Sequence, residues 1–310
     1  MPIILKALLP VFLLIAMGYL LKRTLLKHES QWLGLEQIVY YVLFPALLLQ
    51  TLARADLASV PVEDVGAALL LAVLIVAAIC MALRPLLMSK LDMNGPVFTS
   101  VFQGSVRWQT YVALAVSGNL FGDVGLALAS VAMVAIIPLV NVFSVAVLAR
   151  YASTEKRSIG SIVMTVVRNP LIWACAIGLA LNIAHIPLPK LWHEVADALG
   201  RSSLAIGLLV TGAGLHLEGM FRPSLAASVA VFLKLGLMPV IAVALALRFG
   251  LSDSNLAIVA ACSAVPASSS AYVLARQMGG DAPLLAQIIT LQTILAAITM
   301  PLAIALAAMC

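Results

Sequence analysis

The chain has 310 residues, 63% of the hydrophobic class and 10% charged, with a formal net charge of +5 and a mean hydropathy of +1.12. Soluble domains run at roughly 45–50% apolar and about 25% charged, so the composition excludes a soluble globular protein and specifies an integral membrane one. No basic stretch is interleaved with aromatics, which excludes a nucleic-acid binder. Cys80, Cys175, Cys262 and Cys310 stand apart with no Cys/His cluster, so neither a metal site nor a disulfide framework is expected.

A spanning helix needs about 20 apolar residues. By that measure the sequence predicts ten spans: 3–21, 36–53, 65–88, 97–118, 124–149, 160–182, 198–217, 224–248, 254–277 and 283–308. The first has Lys6 ahead of its apolar run, as a signal peptide would. It lacks a small-x-small cleavage pattern and ends in Lys22-Arg23, so it is expected to stay as a helix. The longest polar insert, Arg150 to Arg157, falls at the midpoint. It predicts two five-helix halves, 1–152 and 160–310, joined by a cytoplasmic linker at 153–159.

Lysines and arginines near helix ends set orientation. Eleven lie on the side of the loops after the first, third, fifth, seventh and ninth spans, and five on the other. The odd loops are therefore expected in the cytoplasm and both termini outside. With five helices in each half, the second half would insert upside-down relative to the first, an inverted repeat.

Two basic residues, Arg107 and Lys234, fall inside predicted spans. A charge near the bilayer centre costs at least ~2.5 kcal/mol, so such residues face a cavity or a partner. For Lys234, snorkelling or bonding to neighbouring carbonyls weighs equally with a functional role. For Arg107 the functional reading weighs more, its rival being a structural tie for a helix end.

The ninth span places Pro266 about halfway along, followed by Ser268, Ser269 and Ser270. Proline removes a backbone donor and breaks or kinks a helix. In hydrocarbon the freed groups must be satisfied by protein or a water-filled cavity. A shift of 158 positions lays Ser105 on Ser263, Ala113 on Ala271, Gly122 on Gly280 and Asp123 on Asp281. The same shift sets the polar cluster Arg107, Gln109, Thr110 and Tyr111 of the fourth span against the break at Pro266. Paired interrupted segments in two halves point to the central site of a transporter. Half-helix N-termini bring unpaired N–H groups and partial positive charge, which suits an anion, and a guanidinium suits a carboxylate. Gln50, Asn141 and Thr211, also within spans, complete the candidate set, although an interhelical hydrogen bond is the ordinary use of such side chains. His28, His185, His193 and His216 lie at predicted helix ends or in loops.

The segment Arg168-Asn-Pro-Leu-Ile-Trp-Ala-Cys-Ala-Ile-Gly-Leu179 resembles the Arg-Asn-Pro opening of the sixth helix in the auxin efflux carrier family. Phe44-Pro45-Ala-Leu-Leu48 is similar to that family's second-helix segment, and Gly207-Leu-Leu-Val-Thr-Gly-Ala-Gly-Leu215 to its Gly-rich seventh helix. The short midpoint loop resembles bacterial members, which implies a bacterial inner membrane. The resemblance implies an all-α membrane protein with ten helices in two inverted repeats, the fold of the bile acid:sodium symporters. The fourth and ninth helices would be interrupted and cross at mid-membrane, though the fourth here carries no crossover proline. The implied activity is elevator-type secondary transport of organic anions such as mono- or dicarboxylates, in members that are often homodimers. No cofactor is implied. The coupling ion stays open between a proton, sodium near Ser105 and Ser263, and none.

An anion channel and a non-cycling receptor or sensor are the alternatives. A pore shows polar faces along several helices, whereas here polarity clusters at mid-depth. Intramembrane proteolysis is disfavoured, because Gly-x-Ser-Gly is absent and Gly279-Gly-Asp281 lacks a Tyr-Asp partner.

Overall fold

Long runs of Leu, Ala, Val and Ile with few breakers give helices throughout the residues described in the computed structural model, 2–55, 61–90, 93–152, 164, 169–186, 188–217 and 223–309. In chain order these are α1 (Pro2–Thr24), α2 (Glu29–Arg54), α3 (Val62–Lys90), α4 (Gly95–Val106), α5 (Thr110–Tyr151), α6 (Pro170–Ile183), α7 (Lys190–Ala213), α8 (Leu225–Arg248), α9 (Asp253–Ser263), α10 (Ser270–Met278) and α11 (Ala282–Ala307). Among the described residues, seven stretches are long and apolar enough to cross a bilayer, α4 with α5 counting as one and α6 falling short. The predicted linker 153–159, Arg168 and most of 160–168 lie outside the described residues.

Local chemistry sets the ends. Asn94, Asn169, Ser224 and Asp281 each accept a backbone N–H with the side chain at a helix start. The Asn-Pro of the Arg-Asn-Pro segment is thus a cap followed by a proline at the first helical position. Gly279 (φ +76°) closes α10 in the left-handed conformation that favours glycine. Gly122 (φ +59°, ψ −146°) leaves helical geometry and kinks α5 into two helical segments, which separates the predicted fourth and fifth spans, 97–118 and 124–149.

Two helices start earlier than the hydropathy measure predicts. The second begins at Glu29, not 36, and the seventh at Lys190, not 198. Their first turns are amphipathic, so mean hydropathy hides them. In α2, Trp32 is buried and its indole donates to Leu26 O (2.7 Å). Both α2 and α8 contain a π-helical segment, Val39–Leu43 and Phe232–Leu237.

The helices pack in two groups. Helices α1, α2, α6 and α7 lie mainly on one another, while α3, α4, α5, α8, α9 and α11 form the second group, joined by α10. Close approach inside the first group needs small residues. A Cβ on Gly212 would overlap the Ile15 carbonyl, and one on Gly18 the Leu209 carbonyl. Apolar side chains also point outward, among them Leu9 and Leu13 of α1 and Phe232 and Val240 of α8. In water they would be a liability, but lipid covers them.

Candidate substrate-binding site

Two interruptions meet inside the second helix group. The chain leaves helical geometry at Arg107–Gln109, between α4 and α5, and at Ala264–Ser269, between α9 and α10. The register of 158 residues carries 107–109 onto 265–267, so the breaks correspond. Each break satisfies the other's backbone. The Gln109 N–H donates to Pro266 O (3.0 Å), and Trp108 Nε1 donates to Cys262 O.

A third residue closes the set. Gln292 of α11 accepts from the Ala267 N–H with Oε1 (2.8 Å) and donates with Nε2 to Gly104 O (2.9 Å) and Ala230 O (3.2 Å). One amide side chain therefore pairs a backbone group from both interrupted helices and another from α8, just before its π segment. Buried polar groups without partners are costly, so this amide holds the crossing together. Sequence reading passed over Gln292 and Trp108. A glutamine in an apolar helix was the available signal.

Arg107 caps α4 and is only 7% exposed. Its Nη2 donates to Asn141 Oδ1 (3.0 Å) and to Ser270 Oγ (3.1 Å), while Nη1 is buried without a partner. No described carboxylate pairs with it; the described ion pair is Arg54–Asp197. Asn141, a secondary candidate from the sequence, thus joins the cluster.

In the other break, Ser268 Oγ and Ser270 Oγ are hydrogen-bonded (2.8 Å), and the Ser270 N–H donates to Ser268 Oγ (3.3 Å). Ser269 Oγ is buried and unpartnered. The N–H groups of Ser268 and Ser269 make no hydrogen bond to any described residue. Gln109 keeps its Nε2 buried and unpaired, next to Thr110 at the start of α5. The site therefore presents several donors and no negative charge.

Tyr111 and Thr211 stand at the edge of this cluster, where the two helix groups touch. The Tyr111 ring packs edge-on against Phe44 of α2 (centroids 4.8 Å), and a Cβ on Gly207 of α7 would lie 2.8 Å from it. Thr211 is buried and donates to Gly207 O of its own helix (2.9 Å). Just past the end of α7, a Cβ on Gly214 would stand 3.5 Å from Ser269 Oγ.

Gln50 goes elsewhere. Its amide donates to Asp197 Oδ1 (3.2 Å) and lies 2.9 Å from His193 Nδ1. Gln50 and Asp197 border a cleft of about 480 Å³ between α2, α7 and α5, lined also by Arg54, Asp123 and Arg201. Spacing along α2 placed Gln50 inside a span but could not say which neighbour it faces. Ser105 and Ser263, the expected sodium neighbours, donate to their own helices at Val101 O (2.8 Å) and Ala260 O (3.1 Å). Lys234 lies in the π segment of α8, 1% exposed, with no hydrogen bond or ion pair to a described residue.

A chain whose described residues form helices and no strand, with an apolar exterior, is a multi-pass membrane protein, and a cluster of its polar groups gathers where two broken helices meet. Residues 3–304 match the family described as membrane transport protein, and the chain belongs to that family, the transport domain of the auxin efflux carriers. It is a family of transporters and not of enzymes. No curated protein matches the sequence.

Proposed function

We propose that the chain is a secondary carrier of small organic anions, mono- or dicarboxylates, bound where the two breaks meet. The carrying observation is Arg107: a buried guanidinium, oriented by Asn141 and Ser270, with Nη1 unpaired and no described carboxylate beside it. A buried cation without a counter-charge is unfavourable by several kcal/mol, ~3–5 when a pair has been broken. An anion arriving from outside supplies the missing partner. Uncommitted N–H groups at Ser268 and Ser269, at the head of a half-helix, add donors on the opposite side.

The division into two helix groups supports an elevator-type cycle, in which the group holding both breaks moves against the group containing α2 and α7. The contact of Tyr111 with Phe44 and Gly207 lies on that sliding surface. We further read the chain as ten spans in two inverted halves, in a bacterial inner membrane with both termini outside.

Counterflow in proteoliposomes tests the reading. A carrier preloaded with an unlabelled carboxylate drives transient accumulation of the labelled one, which a channel or a receptor does not. Arg107→Gln should abolish it while the protein still folds. Arg107→Lys should keep the charge, lose the planar fork and weaken binding. Wild-type counterflow in a folded Arg107→Gln protein would assign Arg107 a structural role and remove the anion site.

A further inference from the structure

Arg107 Nη1 is one of a row of buried polar atoms without partners. Gln103 of α4 and Ser144 of α5 are both 0% exposed, and Gln103 Oε1, Gln103 Nε2 and Ser144 Oγ make no hydrogen bond. Native proteins leave few such atoms, and each asks for an explanation.

Helix register places these residues at neighbouring levels of one seam, without a hydrogen bond between them. A Cβ built on Gly280 would stand within 3.2 Å of both Thr99 Oγ1 of α4 and Leu148 Cδ2 of α5, so residues 99 and 148 share one level. Arg107 and Asn141 share another, through their 3.0 Å hydrogen bond. Phe98 and Tyr151 meet edge-on on the far side of the first level (centroids 5.5 Å), so α4 and this part of α5 run antiparallel and side by side. Residues one turn from 99 and one turn from 148 therefore occupy the level between, because residues three and four apart share a helix face. Those residues are Gln103 and Ser144. The row Gln103, Ser144, Arg107 thus continues the candidate site along the seam of α4 and α5.

Its chemistry is specific. Arg107 Nη1 offers donors alone and suits a carboxylate. The Gln103 amide offers both a donor and an acceptor, and the Ser144 hydroxyl can play either part. Their complement is a group that both donates and accepts, held close to the carboxylate. A hydroxyl does so; an oxo group only accepts, a methyl does neither, and an ammonium would sit beside a fixed positive charge.

We propose that Gln103 and Ser144 form a subsite adjoining Arg107 that receives the hydroxyl of a 2-hydroxycarboxylate, making them specificity-determining residues of the carrier. The proposal rests on the reading of Arg107 as the carboxylate holder. Removing the polar atoms should then change which acid is preferred, and should not weaken the fold. Replacing an unpaired buried amide by an apolar side chain of similar size is neutral or stabilising.

The test is a thermal-shift titration of the purified full-length protein with L-lactate, pyruvate and propionate. Wild type should respond to lactate at roughly tenfold lower concentration than to propionate, the worth of about one charge-supported hydrogen bond. Gln103→Leu should bring the two to near parity, leave the propionate response in place, and melt without ligand no lower than wild type. Ser144→Ala should narrow the ratio by a smaller factor, and it carries the test if Gln103→Leu does not fold. An unchanged lactate-to-propionate ratio in a folded variant, or equal responses in wild type, overturns the subsite alone. So does a Gln103→Leu protein that melts well below wild type with its preference intact, because the amide would then be bonded within the protein. A wild type that answers none of the three acids, and behaves as Arg107→Gln does, overturns the carboxylate reading itself and the subsite with it.

Discussion

The indole Nε1 of Trp108 donates to the carbonyl of Cys262, the oxygen four residues before Pro266. In an unbroken helix that oxygen would receive the N–H of residue 266, which proline lacks. Trp108 stands in for the missing donor from the other break. The favour is returned nearby, where the Pro266 carbonyl takes the Gln109 N–H. The two interruptions are therefore one structure, since neither satisfies its backbone without the other.

That relationship predicts a non-additive pair of substitutions. Trp108→Phe leaves Cys262 O buried and unpaired and should lower stability by about 1–3 kcal/mol. Pro266→Ala restores a backbone donor for the same oxygen. Combined with Trp108→Phe it should recover most of the loss, by letting α9 run on through the break, while transport falls because the Ser268 and Ser269 N–H groups are withdrawn. Melting temperatures of both single variants and the double check it, and simple additivity would separate the two residues.

Gln292 should be the most sensitive residue of α11. Gln292→Leu strands the Ala267 N–H and the carbonyls of Gly104 and Ala230 at once, a loss on the order of 3 kcal/mol or more. Expression and unfolding in mild detergent would register it. Thr293→Val, which removes a hydroxyl bonded only to Ile289 O of its own helix, is the control and should cost little.

Gly207 should tolerate nothing larger while Tyr111 is present. A Cβ there meets the Tyr111 ring at 2.8 Å, and Phe44 bounds the ring on another side. Overpacking of this kind costs about 1–3 kcal/mol. Gly207→Ala should lose stability and transport together, and Tyr111→Leu in the same chain should relieve the stability part. A melting-temperature cycle over the four proteins measures the coupling.

Orientation is checked by labelling. A cysteine added before Met1 should react with a membrane-impermeant thiol reagent on intact cells, and one at Ser153 should not. The reverse pattern would turn the molecule over, whereas two sites reacting alike would put an even number of spans between them and remove the basis for two inverted halves.

The break at Pro266 was legible because proline and three serines in an apolar run are a local signal. The break at Arg107–Gln109 was legible only through the internal register, since none of Arg107, Trp108 and Gln109 breaks a helix by its own propensity. What interrupts α4 is tertiary: Trp108 and Gln109 are drawn to Cys262 and Pro266. The same limit explains Gln50 and Gln103. Sequence reading marked Gln50 as a polar residue in an apolar helix and passed over Gln103, but only packing decides that Gln50 turns to Asp197 and His193 while Gln103 is left with nothing. Lengths failed where a helix begins amphipathic, as at Glu29 and Lys190, because a hydropathy average counts the charged face against the helix.

The π segments at Val39–Leu43 and Phe232–Leu237 also bear on descent. A π turn takes one extra residue into a helix while the flanks keep their phase; anywhere else a gained or lost residue would turn the remainder of the helix by about 100°. After the second segment the buried face resumes at Met238, Ala242 and Ala246, in step with Ala226 and Ala230 before it. Single-residue gaps between this chain and its relatives should therefore collect inside these two segments. A deletion there would be silent to packing, whereas the same deletion one turn away would rotate a lipid-facing stripe into the core.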